Sequence, residues 1–278
     1  MKKIKLKKKI VILAIVCVAV VLTGSILLSS LFMINVSYKD ALFVQSCLCI
    51  GVPSPTDVNI PGEGYINHYQ DESAKSEVTV EFDGETYCGE YSHSDLNLPY
   101  AYNLHKYKAK KDDLNISFSI NSDTGELIEI NIPYKVTNRE RNEEECRKIA
   151  DDFAAKYIKV KNYEVSSYGH VYVYSRKVDG YSTTETLRIR VNSDGRIDGF
   201  EAQSVGEFKY IKKVNCNKRK IEKVIAKKLD KVFGSENWTD MKIDGFSIVK
   251  VGKWKYGFFC QATVYTSTTN HSLRFIVK

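Results

Sequence analysis

Five histidines (His68, His93, His105, His170 and His271) and seven cysteines hold most of this chain's capacity for nucleophilic or metal chemistry. Their spacing assembles none of the familiar sites. No two histidines bracket a glutamate as His-Glu-x-x-His, which excludes a zinc peptidase of that type. No Gly-Lys-Ser/Thr follows a glycine at P-loop spacing, and no Gly-x-Ser-x-Gly elbow occurs. Cys88 and His93 are near in sequence, but a thiol and its base normally meet through the fold. Cys47-Leu48-Cys49 offers two thiolates to a soft metal, with no neighbouring cysteine or histidine to complete four ligands. Asp151 and Asp152 fall on a predicted helix, where adjacent positions diverge by about 100° and cannot serve one substrate atom. Asp123 and Asp194 stand in turn sequences, where such side chains bond their own backbone. The expectation is a chain with no metal, no cofactor and no catalytic group.

Binding has better candidates. In His170-Val171-Tyr172-Val173-Tyr174, strand alternation puts His170, Tyr172 and Tyr174 on one face, and Tyr181 follows the next turn. Such a face offers aromatic contact to a peptide or glycan, and its sheet edge offers backbone pairing to an extended peptide. The alternative is that these tyrosines cover a helix in the core.

The elements that would position them are legible. Val78, Val80 and Phe82 alternate with polar residues, and Asp83-Gly84 supplies a hairpin turn before Tyr87–Tyr91. Leu114, Ile116, Phe118 and Ile120 alternate cleanly, then Ser122-Asp123-Thr124-Gly125 turns the chain into Ile128, Ile130 and Ile132. Asn142 is a good N-cap for a helix with Glu143, Glu144 and Glu145 in its first turn, and Glu145 occupies the capping-box position. Cys146, Ile149, Phe153 and Tyr157 form its apolar stripe. Strands return at Val171–Lys177 and Leu187–Val191. A second helix starts near Asn217, with Ile221, Val224, Ile225, Leu229, Val232 and Phe233 on one side, lysines on the other and Gly234 at its end. The lysine face reads as a solvated surface or as a site for an anionic polymer. Strands close the chain from Phe246 to Val277.

One unit recurs. Leu114–Leu127 resembles Leu187–Ile197: an alternating strand, an Asn-Ser-Asp turn with glycine, and a return strand. Together with the helix Glu145–Phe153 and the hairpin Asp179-Gly180-Tyr181, the stretch Leu187-Arg188-Ile189-Arg190-Val191-Asn192-Ser193-Asp194-Gly195-Arg196-Ile197 resembles the PepSY domain family. The resemblance covers roughly residues 140 to 205, with weaker echoes at 114–134 and 217–278. It implies modules of one helix on an antiparallel sheet, and a peptide- or peptidase-binding role outside the cytoplasm. It carries no catalytic residue to this chain.

The N-terminus sets location. Six lysines (Lys2, Lys3, Lys5, Lys7, Lys8 and Lys9) precede an uncharged apolar run from Ile10 to Ile34. Twenty-five helical residues span roughly 37 Å, enough for a bilayer core of about 30 Å. The lysine asymmetry places the N-terminus in the cytoplasm, making the expectation a single-pass membrane protein with its bulk outside; cleavage and secretion is the rival. Setting the six tail lysines aside leaves 35 basic against 34 acidic residues, so the net charge of +7 is topological and nucleic acid is not an expected partner. Cys47, Cys49, Cys88, Cys146, Cys216 and Cys260 could pair as disulfides there, whereas Cys146 and Cys260 fall on apolar faces as small hydrophobes.

The expected fold is α+β: an N-terminal transmembrane helix followed by repeated modules of one helix packed on a curved antiparallel sheet. The expected divisions are a basic tail (1–9), the anchor (10–34), a stalk with a short helix near Lys39–Cys49 (35–75), a β-rich segment (76–136), a PepSY-like module (137–212) and a second module (213–278). The expected function is non-catalytic binding or regulation, with the bilayer met through Ile10 to Ile34 and a peptide, peptidase or envelope polymer as partner. An enzyme with a dispersed site and a structural envelope component are the alternatives.

Overall fold

A computed structural model describes residues 33–44, 68–97, 102–133, 141–252, 255–267 and 270–278. The described residues open with two short strands, β1 (Met33–Asn35) and β2 (Ala41–Val44). A meander follows: β3 (His68–Tyr69), β4 (Glu77–Phe82), β5 (Glu85–Asn97), β6 (Tyr102–Lys111), β7 (Leu114–Asn121) and β8 (Leu127–Asn131). The helix α1 (Glu143–Ala154) leads to β9 (Tyr163–Tyr168), β10 (Val171–Val178), β11 (Tyr181–Val191) and β12 (Ile197–Gln203). The rest is β13 (Lys213–Asn215), α2 (Lys218–Phe233), β14 (Asp240–Gly252), β15 (Lys255–Tyr265) and β16 (Asn270–Val277).

Turn chemistry fixes the hairpins. Asp83-Gly84 and Asp179-Gly180 take positive φ at both central positions (48° and 82°, 52° and 79°), the geometry whose twist matches the flanking strands. The cap of α1 is equally local: Asn142 Oδ1 accepts from Glu145 N at 2.9 Å, and Asn142 N donates to Glu145 Oε2 at 3.2 Å, satisfying two orphan groups at once.

The two meanders join where β12 pairs antiparallel with β8, Phe200 opposite Ile130. Their inward faces form one core with α1: Tyr107, Phe118, Ile130, Leu187, Ile189 and Phe200 bury against Cys146, Ala150 and Phe153. A second core lies where α2 buries Ile221, Ile225 and Leu229 against β14–β16, with β2 added at the edge beside β16. The two sheets meet at one parallel pair, Thr183 of β11 with Ile248 of β14. Just beyond it Glu185, fully buried, accepts hydrogen bonds from Tyr163 Oη and from Gly206 N (2.7 Å), with Arg176 Nε 3.5 Å from its other oxygen.

This architecture corrects the sequence-based expectation of an α+β chain of repeated helix-on-sheet modules. The described residues are predominantly β, with sixteen strands and two α-helices among them. Residues 76–136 contain no helix among those described; Phe82 instead packs on Phe153 and Phe200 from the following stretch, at 5.6 and 5.7 Å between ring centres. The strands β4–β8 and the elements α1 to β12 therefore share one core. The sheet of residues 213–278 in turn takes β2 from near the N-terminus.

The membrane expectation is corrected as well. Among the described residues no helix is long and apolar enough to cross a membrane, against the single-pass localisation and the transmembrane anchor. The expected anchor, Ile10 to Ile34, lies outside the described residues except for Met33 and Ile34. These two belong to β1, paired in parallel with β13, and Ile34 is fully buried in the second core. The expected stalk is partly folded too: Ala41–Val44 is a strand rather than the start of a helix, and β3 opens the first sheet. Cys47 and Cys49 lie outside the described residues. The four described cysteines are free thiols, with Cys146 and Cys260 buried.

Candidate functional site

The residues singled out from sequence do not form one open face. Tyr172 and Tyr174 point from β10 into the first core, both buried. The Tyr174 hydroxyl donates to Asp151 Oδ1 at 2.8 Å and that of Tyr172 to the Glu143 carbonyl at 3.2 Å, both on α1. Burial, and then the hydrogen bond to Asp151, holds the Tyr174 hydroxyl well above the ordinary tyrosine range. Tyr181 packs in the second core, 5.7 Å from the Phe246 ring. His170 sits in the turn between β9 and β10, exposed, where a shallow depression joins it to Asn131, Arg190, Asn192 and Asp198. Tyr172 and Tyr174 cover a helix, Tyr181 is half-buried, and His170 faces outward.

Cys88 and His93 also have separate partners. The Cys88 thiol donates to Glu77 Oε1 at 2.6 Å, while His93 Nδ1 bonds Ser92 Oγ at 3.0 Å. In the two glycine turns Asn121 Oδ1 accepts from Asp123 N, and Asn192 Oδ1 from Arg196 N, which Asp194 Oδ1 also accepts at 3.0 Å, as expected of a turn aspartate.

The opposite, outer face of the first sheet carries charge instead. Alternation sends Leu187, Ile189, Phe200, Ile130 and Phe118 inward, so their neighbours in sequence point outward. The strand register then lines up Arg188, Glu201, Glu129, Ser119, Lys106 and His93, one residue from each of β11, β12, β8, β7, β6 and β5. Lys106 Nζ donates to Glu129 Oε2 at 2.8 Å, Ser119 Oγ reaches the same oxygen at 3.2 Å, and Asp95 lies 3.8 Å from Lys106. Arg188 Nη1 donates to Glu201 Oε2 at 2.7 Å, and Gln203 Nε2 holds the other Glu201 oxygen. One step along the strands, Arg190 ties β11 to β8 and β12 through Asn131 Oδ1 (2.8 Å), the Ile132 carbonyl (3.2 Å) and the Asp198 carbonyl (3.0 Å).

Partial burial, and secondarily the neighbouring Glu129 carboxylate, pushes the Glu201 carboxyl above its ordinary value against the opposing pull of Arg188. Asp198, also buried, is shifted the same way despite Arg190. Both described helices pack on other faces, α1 on the inner side of this sheet and α2 on the second sheet. The outer face is a fixed array of donors and acceptors of both signs, set by hydrogen bonds before any ligand arrives. Each of these side chains points away from the core of the first sheet, but only the register brings them into one row. Among the described residues no cluster of His, Cys, Asp and Glu is arranged to hold a metal ion.

Residues 68–204 are similar to the YcdB, YcdC repeated domain. The matched stretch begins at β3 and ends just past β12, so it takes in the first sheet, α1 and the whole charged row. Among solved structures, the Bacillus megaterium YpeB C-terminal domain matches with 11% identity and a TM-score of 0.32, over 66% of this chain and 84% of its own. No curated protein matches the chain.

Proposed function

We propose that this chain is a non-catalytic binding or regulatory protein whose recognition surface is the charged outer face of the first sheet. The supporting observation is the row from Arg188 to Lys106, preorganised by hydrogen bonds while the aromatic face is consumed in the core. Such an array suits a peptide segment or protein surface carrying charges of both signs, since complementary charges fix register and reject mismatched partners. A peptidase or its peptide is the partner class that the PepSY-like resemblance of residues 140–205 implies, and those residues fall almost wholly within the stretch similar to the YcdB, YcdC repeated domain.

Photo-cross-linking in cells tests this reading. A cross-linker at Ser117, exposed on β7 beside the row, should capture a defined partner, and the charge reversals Lys106→Glu and Arg188→Glu should abolish capture. Equal capture by the reversed variants would reject the surface.

A second reading, an enzyme, rests on one feature. Glu129 and Glu201 are carboxylates on adjacent strands, and one has a raised affinity for its proton, a pattern used in general acid–base catalysis. Turnover of a peptide or glycoside by the purified chain, lost in Glu201→Gln, would favour it over binding alone.

A further inference from the structure

The helix α2 carries seven basic residues against two acidic ones (Lys218–Phe233). Its inward stripe, Ile221, Ile225, Leu229 and Phe233, is buried in the second core. On the opposite side Lys220, Lys223, Lys227 and Lys231 recur at helical spacing. Lys39 and Asp40, from the connection between β1 and β2, line a depression of about 250 Å³ together with Lys223, Lys227, Lys228, Lys231, Tyr38 and Val224. Tyr38 is pinned: its hydroxyl donates to the Asn215 carbonyl at 2.9 Å and accepts from Asn217 N at 2.8 Å. Lys220 Nζ stands 5.6 Å from its ring.

Elsewhere in the fold four lysines pair with glutamates, Lys106 with Glu129, Lys111 with Glu85, Lys177 with Glu164 and Lys250 with Glu207. Among the described residues Lys39, Lys220, Lys223, Lys227 and Lys231 form no ion pair with a carboxylate. Like charges three and four residues apart repel. The first turn of α2 holds Lys218, Arg219 and Lys220 and no acid, which opposes the helix dipole. This positive field works against the helix that carries it.

We propose that the groove between α2 and the β1–β2 connection is a binding site for a linear polyanion of the phosphate-chain type. Successive lysines along α2 are about 4.5–6 Å apart in axial rise and extend over roughly 16 Å, a ladder of point charges for a repeating anion. Lysine serves phosphate as a point charge, and no arginine fork lines the depression. Single-stranded nucleic acid fits less well, because its binders interleave stacking platforms with the charges. The one ring here already lies between Lys220 and Phe258 (6.2 Å, stacked). A bilayer surface fits less well too, because a membrane-lying helix needs a free apolar face and that of α2 is buried.

The test is titration of the full chain with linear inorganic polyphosphate, beside orthophosphate, anionic phospholipid vesicles and an oligothymidylate. Polyphosphate should bind preferentially, and its affinity should fall with salt as expected for about four charge contacts. The variant Lys223→Glu/Lys227→Glu/Lys231→Glu changes only exposed positions and should lose at least about 30-fold in affinity. The control Lys156→Glu/Lys209→Glu should stay within about twofold, and circular dichroism should show all variants folded. Equal affinity of wild type and triple variant would overturn the site, since the lysines at the start of the chain are common to both. Preference for vesicles or for the oligonucleotide would overturn the assignment of the ligand.

Discussion

Glu201 on β12 stands directly opposite Glu129 on β8, so two carboxylates meet in the middle of the outer face. Like charges facing each other across strands destabilise a sheet. Here Lys106 and Arg188 flank the pair, one salt-bridged to each carboxylate. The arrangement holds an unfavourable contact in place with two favourable ones, and the pH response of Glu201 follows from it.

Folding raises the affinity of Glu201 for its proton. The folded state therefore binds more protons than the unfolded state between the ordinary glutamate value and the raised one. The associated stability is full below the ordinary value and is lost as pH rises through the raised one. Glu201→Gln removes this dependence. The difference in urea midpoint between wild type and E201Q should favour wild type increasingly as pH is lowered through that window. At neutral pH the two should differ by no more than about 1 kcal/mol, because Arg188 is half-exposed and its pair is worth little. A pH-independent difference would show that Glu201 titrates normally.

The buried carboxylate of Glu185 makes a stronger demand. It holds Tyr163, Gly206 and Arg176 beside the single strand pair that joins the two sheets. Arg176→Ala leaves that charge buried without its cation and should cost about 3–5 kcal/mol. Arg176→Ala combined with Glu185→Gln should cost less than the two separate losses summed, because the second change removes the charge that the first strands. Denaturant unfolding of the four proteins in this cycle measures the coupling; simple additivity would mean the pair is not an energetic unit.

Tyr174 should behave as a core residue. Tyr174→Phe keeps the ring and removes the hydrogen bond to Asp151, for a loss of about 1 kcal/mol. Tyr174→Ala opens the space beneath α1 and should lose about 3–5 kcal/mol. Cross-linking from the outer face should persist in Tyr174→Phe. Unchanged stability with loss of the partner would instead return Tyr174 to a recognition role.

The hairpins at Asp83-Gly84 and Leu114–Ile132, both described helices and their caps were legible in the sequence because each is specified by near neighbours, whereas β6 and β9 were not legible and the sequence at β2 reads as a short helix. Asn142 with Glu145, Asp83-Gly84 and the alternation from Leu114 to Ile120 are local signals. The join of β8 to β12 was not legible, because Ile130 and Phe200 are brought together by register and by no sequence pattern. The charged row shares that origin: Lys106, Glu129, Glu201 and Arg188 each read as ordinary solvent-facing residues. The tyrosines left two readings open for the converse reason. Alternation shows that Tyr172 and Tyr174 share a face, but not that α1 covers it. Ile34 shows a further limit, since an apolar run does not declare where a span would end and a core strand begins.

Gly89 on β5 gives a final test of the first core. Its backbone crosses the ring of Phe118, which stacks on Tyr107 at 5.4 Å between centres. A Cβ at Gly89 would meet Phe118 ring carbons at 2.5 and 2.7 Å, with the Tyr107 Cβ at 3.1 Å. Those rings are buried in the middle of the core and cannot swing aside without moving their neighbours. Gly89→Ala should therefore destabilise by about 1–3 kcal/mol through overpacking, although alanine ordinarily suits a strand better than glycine. Phe118→Leu alone costs stability by removing ring contacts, but in the double variant it vacates the space the new methyl needs. The double variant should be more stable than the sum of the single losses allows, a coupling of about 0.5–3 kcal/mol. Strict additivity in thermal or urea unfolding would show that the glycine serves the strand backbone rather than the approach of the ring.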